Sequence, residues 1–259
     1  MIQKIVSHLP ELDTMKNYPE ELFYIGNLEL LQRKKIAIVG SRKPNSYART
    51  QSAFLASKLA KNGAVVVSGG AIGVDAICHK SAGAQNTIMV AATGLDKYYP
   101  TINKKLIRTI EEKGLVLSQF QENTPSYKYN FVLRNELTVA LGEVLIVTYA
   151  DENSGTMRSV EYALAMGKKI YVLPHRIGES EATNRLLSEK KAEAIYDIDA
   201  FVSRFCGISP KSKNEDEFIS FCMKNPSYEE ALKAFPKRVF EAELLGEIEV
   251  VNGKIRVLT

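Results

Sequence analysis

From Ile36 to Tyr196 short apolar runs alternate with amphipathic stretches, and this alternation limits the possible folds more than any other feature of the chain. The runs Ile36–Gly40, Val65–Gly69, Thr87–Ala92, Leu115–Phe120, Val144–Tyr149, Lys169–Leu173 and Ala194–Tyr196 read as strands. The stretches near Tyr47–Asn62, Val74–Gly83, Asn103–Lys113, Asn130–Gly142, Thr156–Gly167 and Thr183–Lys191 read as helices. A run such as IAIVG is apolar throughout, as a parallel strand covered on both faces must be. Several helical stretches stop at a glycine (Gly63, Gly83, Gly114, Gly142 and Gly167), the residue that most readily adopts a left-handed cap. The pattern predicts an α/β fold with a doubly wound, mostly parallel sheet. Ligands of such sheets bind beyond the carboxyl ends of the strands, near the switch in strand order.

This βα region spans residues 34–206. After it comes a polar, turn-rich linker, residues 207–214. Residues 215–259 carry helical patterns at Glu215–Lys224 and Tyr228–Phe235, a third from Arg238 to Leu245, and alternating strands around Asn252-Gly253, a strong hairpin signal. Helices followed by a terminal hairpin predict a small winged-helix-like domain. Residues 1–33 hold short helical patterns and read as a packing extension. The chain carries a net charge of +4. From Gly207 onward there are 8 Lys+Arg against 9 Asp+Glu, so residues 1–206 hold +5 and any attraction to phosphate belongs to them. The charge balance of the small module favours protein contact over duplex binding.

Cys78, Cys206 and Cys222 are odd in number and far apart, and no CxxC occurs, which favours buried reduced thiols in the cytoplasm over a zinc site or disulfides. No apolar core near the N-terminus marks a signal peptide, and no run of about 18 apolar residues exists to span a membrane. GxxxxGK[ST], GxSxG and HExxH are all missing, and no nucleophile has an evident base. No catalytic residue, metal or cofactor is therefore expected.

Three turns and one helix start carry the chemistry. Gly40-Ser41-Arg42 follows the first strand, where a helix N-terminus suits an anion and a guanidinium stands beside it. Ser68-Gly69-Gly70-Ala71-Ile72-Gly73-Val74-Asp75 follows the second; serine takes the place of the first glycine of a GxGxxG fingerprint, so the dinucleotide motif is broken. Asp75 at the helix start fits a role in stabilising the dipole. Asn153-Ser154-Gly155-Thr156 forms an anion nest or an ordinary N-cap made by Ser154 or Thr156. From Ser126 to Asn135 basic and aromatic residues interleave, with Lys128 and Arg134 suited to phosphates and Phe131 to stacking an unpaired base or to the core.

In order along the chain these residues resemble the DprA/Smf family of DNA-processing proteins of natural transformation. The resemblance runs from Tyr18-Pro19 through Gly40-Ser41-Arg42, Gly69…Asp75, Thr93-Gly94-Leu95-Asp96, Asn130-Phe131…Arg134-Asn135 and Ser154-Gly155-Thr156 to Arg204. It implies an extended Rossmann-like domain that dimerises, binds single-stranded DNA (duplex more weakly), shields it from nucleases and delivers it to the RecA recombinase. Many members end in a winged-helix-like domain. The implied DNA site comprises Gly40, Ser41, Arg42, Ser68, Gly69, Lys128, Phe131, Arg134, Asn135, Ser154, Gly155 and Thr156. Three positions depart from the family pattern: Ile72 and Glu136 stand where arginine is common, and His175 where glycine is. The alternative is an enzyme similar to the LOG nucleotide phosphoribohydrolases, which carry GGxGTxxE. Here the glutamate after Gly155-Thr156 comes only at Glu161, two positions late, which turns it about 200° around a helix.

Overall fold

The structure, a computed structural model, describes residues 1–207 and 217–258. The chain forms two compact units, Met1–Cys206 and Gly207–Thr259. Residues 208–214, most of the expected linker, lie outside the described residues.

The first unit is built on one sheet of nine strands in the order β1-β2-β6-β5-β4-β3-β7-β8-β9. Strands β3 (Lys35–Val39), β4 (Val65–Ser68), β5 (Thr87–Val90), β6 (Leu115–Ser118), β7 (Leu145–Val147), β8 (Ile170–Val172) and β9 (Glu193–Ala194) run parallel. The order reverses between β3 and β7, whose Ala37 and Val39 face Leu145 and Val147. Here the doubly wound arrangement opens its crevice. The apolar runs are buried on both faces because each face is covered. Ile36, Ile38 and Val66 pack with α1 (Ser46–Lys61), α2 (Val74–Ala82) and α7 (Ile198–Cys206). On the opposite face α4 (Lys128–Leu141) packs on Val65 and Val67, while α5 (Thr156–Ala165) packs on Ala37, Leu145 and Val147. Two further helices, α3 (Lys104–Lys113) and α6 (Glu181–Ser188), complete the layers.

In the N-terminal segment the expected short helical patterns are 3-10 turns at Pro10–Thr14 and Leu28–Gln32. Two short strands, β1 (Gln3–Lys4) and β2 (Phe23–Gly26), extend the sheet, with β2 antiparallel to β6. Leu12, Leu22, Leu30 and Leu31 are buried against β4, β5 and β6, so the segment belongs to the core of this unit.

In the second unit α8 (Glu217–Cys222), α9 (Tyr228–Ala234) and α10 (Pro236–Leu244) enclose Phe218, Ala231, Val239 and Ala242, and the hairpin β10–β11 (Ile248–Val251 and Lys254–Val257) adds Ile248 and Ile255. Ser227 and Glu230 form a reciprocal capping box on α9. Both turn residues, Asn252 and Gly253, have positive φ (52° and 73°), as a two-residue hairpin of this kind requires.

Candidate nucleic-acid interface

The β3–α1 loop starts at Gly40 and the β4–α2 loop at Gly69, and the two are in contact. Val74 N donates to Ser41 O at 3.2 Å. Gly73 makes this approach possible: its φ is +83°, and a side chain there would lie 2.4 Å from Ser41 O. The β7–α5 loop lies across the crevice, and α4 begins above it. Together they enclose a cleft of about 770 Å³ at the carboxyl ends of β3, β4 and β7.

Of the twelve residues expected at the site, eleven line this cleft. Arg42 and Lys128 are exposed at it. On α4, Phe131, Arg134, Asn135 and Thr138 line it at i, i+3, i+4 and i+7, a single helical stripe. Phe131 stands between two cations: the Arg42 and Arg134 guanidinium carbons each lie 5.9 Å from its ring centroid. Ser41 Oγ accepts from Lys43 N at 3.0 Å, which fixes the loop that carries Arg42. Gly155 precedes α5 with no side-chain cap, so neither Ser154 nor Thr156 caps this helix. Its carbonyl accepts from Asn135 Nδ2 at 3.4 Å. Both α4 and α5 point their N-terminal ends at the cleft, and positive partial charges with them.

The exception is Ser68. Its side chain is fully buried, and its Oγ donates to Ile38 O at 2.7 Å. As the last residue of β4 it turns into the sheet, so it braces the cleft from behind.

Arg134 forms the floor. It is 5% exposed, Nη1 donates to Val90 O at 3.3 Å, and Nε has no partner. Asp75 balances its charge. Burial raises the Asp75 carboxyl above the usual range, and Arg134 pulls it back. Burial lowers the Arg134 guanidinium, and Asp75 supports its charge. Ser154 Oγ is likewise buried without a partner. Unsatisfied buried groups are costly, and both Arg134 Nε and Ser154 Oγ are closed to solvent, so they are a local cost built into the cleft wall. Arg42, Lys43, Lys128, Arg134 and Arg158 line the cleft against Asp75 and Asp151, an excess of three positive charges.

The structure adds wall residues that the sequence reading missed. Tyr99 meets Phe131 at 5.4 Å between ring centroids. With Ile72, Tyr99 and Phe131 line a smaller recess of about 80 Å³ that opens beside Arg134. Ile72 therefore faces the site and adds an apolar patch to this wall. Glu136 does not: it is buried on the far side of α4 and accepts from Lys16 N at 2.8 Å. Its acidity anchors the N-terminal segment and takes nothing from the cleft.

The position that would carry the phosphoribohydrolase glutamate is Ser159, which lines the cleft. Glu161 is exposed and pairs with Arg158 at 2.7 Å. Among the described residues no three His, Cys, Asp or Glu side chains are grouped to hold a metal, and no helix is long and apolar enough to cross a membrane.

The family model for DNA recombination-mediator protein A matches residues 6–206. The chain belongs to this family. It is 35% identical over 184 residues to the DNA processing protein DprA of Streptococcus pneumoniae, covering 69% of this chain and 64% of that one. It is 31% identical over 185 residues to the Smf protein of Escherichia coli, covering 70% and 50%. The chain thus spans between half and two thirds of these curated relatives. Among solved structures it resembles DNA processing protein A from Helicobacter pylori, described for its single-stranded DNA binding mode, with a TM-score of 0.77, 39% identity and coverage of 79% and 95%. The Streptococcus pneumoniae DprA structure gives a TM-score of 0.71 and 32% identity, covering 77% and 72%. A Rossmann-like first unit is thus common to the family members and this chain.

Proposed function

We propose that this protein binds single-stranded DNA without cutting it, shields incoming transforming strands and loads them onto the RecA recombinase in the cytoplasm. The observation that carries the reading is the convergence of Arg42, Lys128 and Phe131 on one cleft floored by Arg134. Cations at the rim neutralise phosphates, and the helix N-termini of α4 and α5 add partial charge. Phe131 and Tyr99 offer faces on which an unpaired base stacks, a form of contact that tolerates any sequence. The single-stranded DNA binding described for the Helicobacter pylori relative supports the same ligand here. A binding role is favoured over glycosidic hydrolysis because Ser159, a residue that cannot serve as a carboxylate base, occupies the hydrolase glutamate position. A two-fold dimer would present two clefts to one strand and raise avidity without new contacts. The second unit, near neutral and with Phe240 and Leu244 exposed on α10, suits contact with a protein.

The test is a titration of fluorescent oligo-dT at several salt concentrations. Binding should weaken with salt at a slope of about 0.7 per phosphate neutralised. Arg42→Ala and Lys128→Ala should each weaken binding at 0.1 M salt and flatten that slope. Wild-type affinity in both variants would place the strand elsewhere. Release of free base from nucleoside monophosphates would favour the hydrolase.

A further inference from the structure

Tyr127 and Tyr129 stand at the start of α4, on either side of Lys128 in sequence, and line neither the cleft nor its recess. They are 52% and 60% exposed, yet their rings are stacked, with centroids 5.7 Å apart and planes within 7°. Two large rings held parallel in solvent lose rotamer freedom and bury little area in return, so the core does not account for the arrangement. What they present is a flat aromatic face beside the lysine that reaches into the cleft. Ser126, one residue earlier, also lines the cleft, so the chain that carries the pair is continuous with the cleft wall.

We propose that the Tyr127–Tyr129 pair is a second base-stacking platform, which takes an unpaired base of the strand where it leaves the cleft past Lys128. The proposal rests on the single-strand reading above. The phosphate beside that base meets Lys128, and the base lies on the outer tyrosine face. Stacking on an aromatic side chain reads no base edge, so the platform lengthens the bound stretch without adding sequence preference.

The chain has no tryptophan, so its fluorescence comes from tyrosine and a base stacked on the pair quenches part of it directly. The experiment compares wild type, Tyr127→Ala/Tyr129→Ala and Tyr127→Phe/Tyr129→Phe on oligo-dT and on an abasic oligonucleotide of equal length. Circular dichroism and thermal unfolding of each variant verify the fold. The alanine pair should bind oligo-dT about 5- to 150-fold more weakly, the loss expected for one stacked base. Its affinity for the abasic strand and its salt slope should match wild type, because no cation has been removed. The phenylalanine pair should bind oligo-dT as wild type does, since the ring is kept. Undiminished oligo-dT binding by the alanine pair overturns the platform and leaves the cleft intact. An equal loss on both oligonucleotides also overturns it, because the rings then only support the helix start. Failure of wild type to bind either strand overturns both the platform and the single-strand reading.

Discussion

Gly69→Ala tests whether the floor of the cleft is as tightly built as the geometry implies. A methyl group on Gly69 would lie 1.5 Å from Arg134 Nη1, 2.2 Å from Cζ and 2.9 Å from Nη2. Non-bonded heavy atoms settle near 3.5–4.0 Å, so the whole guanidinium must retreat by about 2 Å. Arg134 is 5% exposed, and the space open to it is the cleft. Leaving breaks the Nη1 bond to Val90 O and draws the counter-charge away from buried Asp75. Overpacking costs about 1–3 kcal/mol, and a lost hydrogen bond from a charged group about 1.5–3 kcal/mol. The sum, about 2.5–6 kcal/mol, lowers the melting temperature of a unit this size by roughly 5–25 °C. Gly69 lacks a positive φ, so the effect is one of contact and not of backbone strain. Gly155→Ala is the control on the opposite wall. No atom lies within 4 Å of its added methyl and its φ is −59°, so the cost stays below about 1 kcal/mol. Thermal unfolding followed by circular dichroism gives the stability, and oligo-dT binding gives the function. In an Arg134→Met background Gly69→Ala should cost much less, because the colliding group is gone. An equal cost in both backgrounds, or none in either, would refute the reasoning.

Two further outcomes follow from buried ionisable groups. His79 is fully buried, and burial, then the Arg134 charge, hold its imidazole down to about 3. Below its unfolded value of 6.5 the unfolded chain takes up a proton that the folded chain refuses, so stability is lost as pH falls from 6.5 towards 3. The loss is about 2 kcal/mol at pH 5, and denaturant unfolding of His79→Gln should lack that part of the acid limb. Asp75 has a raised value and works in the opposite direction, but it is present in both proteins and drops out of the difference. Lys168 Nζ donates to Val139, Ala140 and Gly142 carbonyls and so closes the C-terminus of α4. Lys168→Met leaves these acceptors bare and should lower stability by about 2–3 kcal/mol in urea unfolding.

How much of this was legible in the sequence depends on how local each signal is. The parallel strands were readable because helices cover both faces, so that Val65, Val66 and Val67 form an unbroken apolar run. β1 and β2 were not: they span Gln3–Lys4 and Phe23–Gly26 at the sheet edge, are partly exposed, and exist through pairing with residues far along the chain. The helix Ile198–Cys206 gives a weak sequence signal, because it fully buries only Phe201 and Val202. Site residues were legible where they sit at strand ends and helix starts, as Arg42 and Lys128 do. The α4 stripe is visible from spacing, and the same spacing puts Glu136 on the other face. Ser68 does not line the cleft, although Gly69 beside it does, because a one-residue step along a strand reverses the direction of a side chain. Tyr99 lies in a loop without periodicity, so only the folded chain brings it to Phe131.

Ile72 is the place where the charge of the site and the family pattern part, and it can be put back. The residue is 39% exposed on the wall of the recess, beside Arg42 and Arg134. Arginine, common here in the resembling family, would add one cation where a phosphate can reach it. One more phosphate contact with a single strand steepens the salt slope by about 0.7, so the gain of Ile72→Arg should shrink about 2.6-fold between 50 and 200 mM salt. Mutual repulsion with Arg42 and Arg134 raises the energy of the free protein and is relieved when DNA is bound, so it adds to the gain; salt screens it, which adds to the salt dependence. Glu136→Arg is the contrasting case, since that position lies on the far face of α4 and holds Lys16 N. It should destabilise the fold and leave the salt slope unchanged. If Ile72→Arg binds with the wild-type slope, the strand does not pass the recess, and the path drawn through Arg42, Phe131 and Lys128 is wrong at that wall.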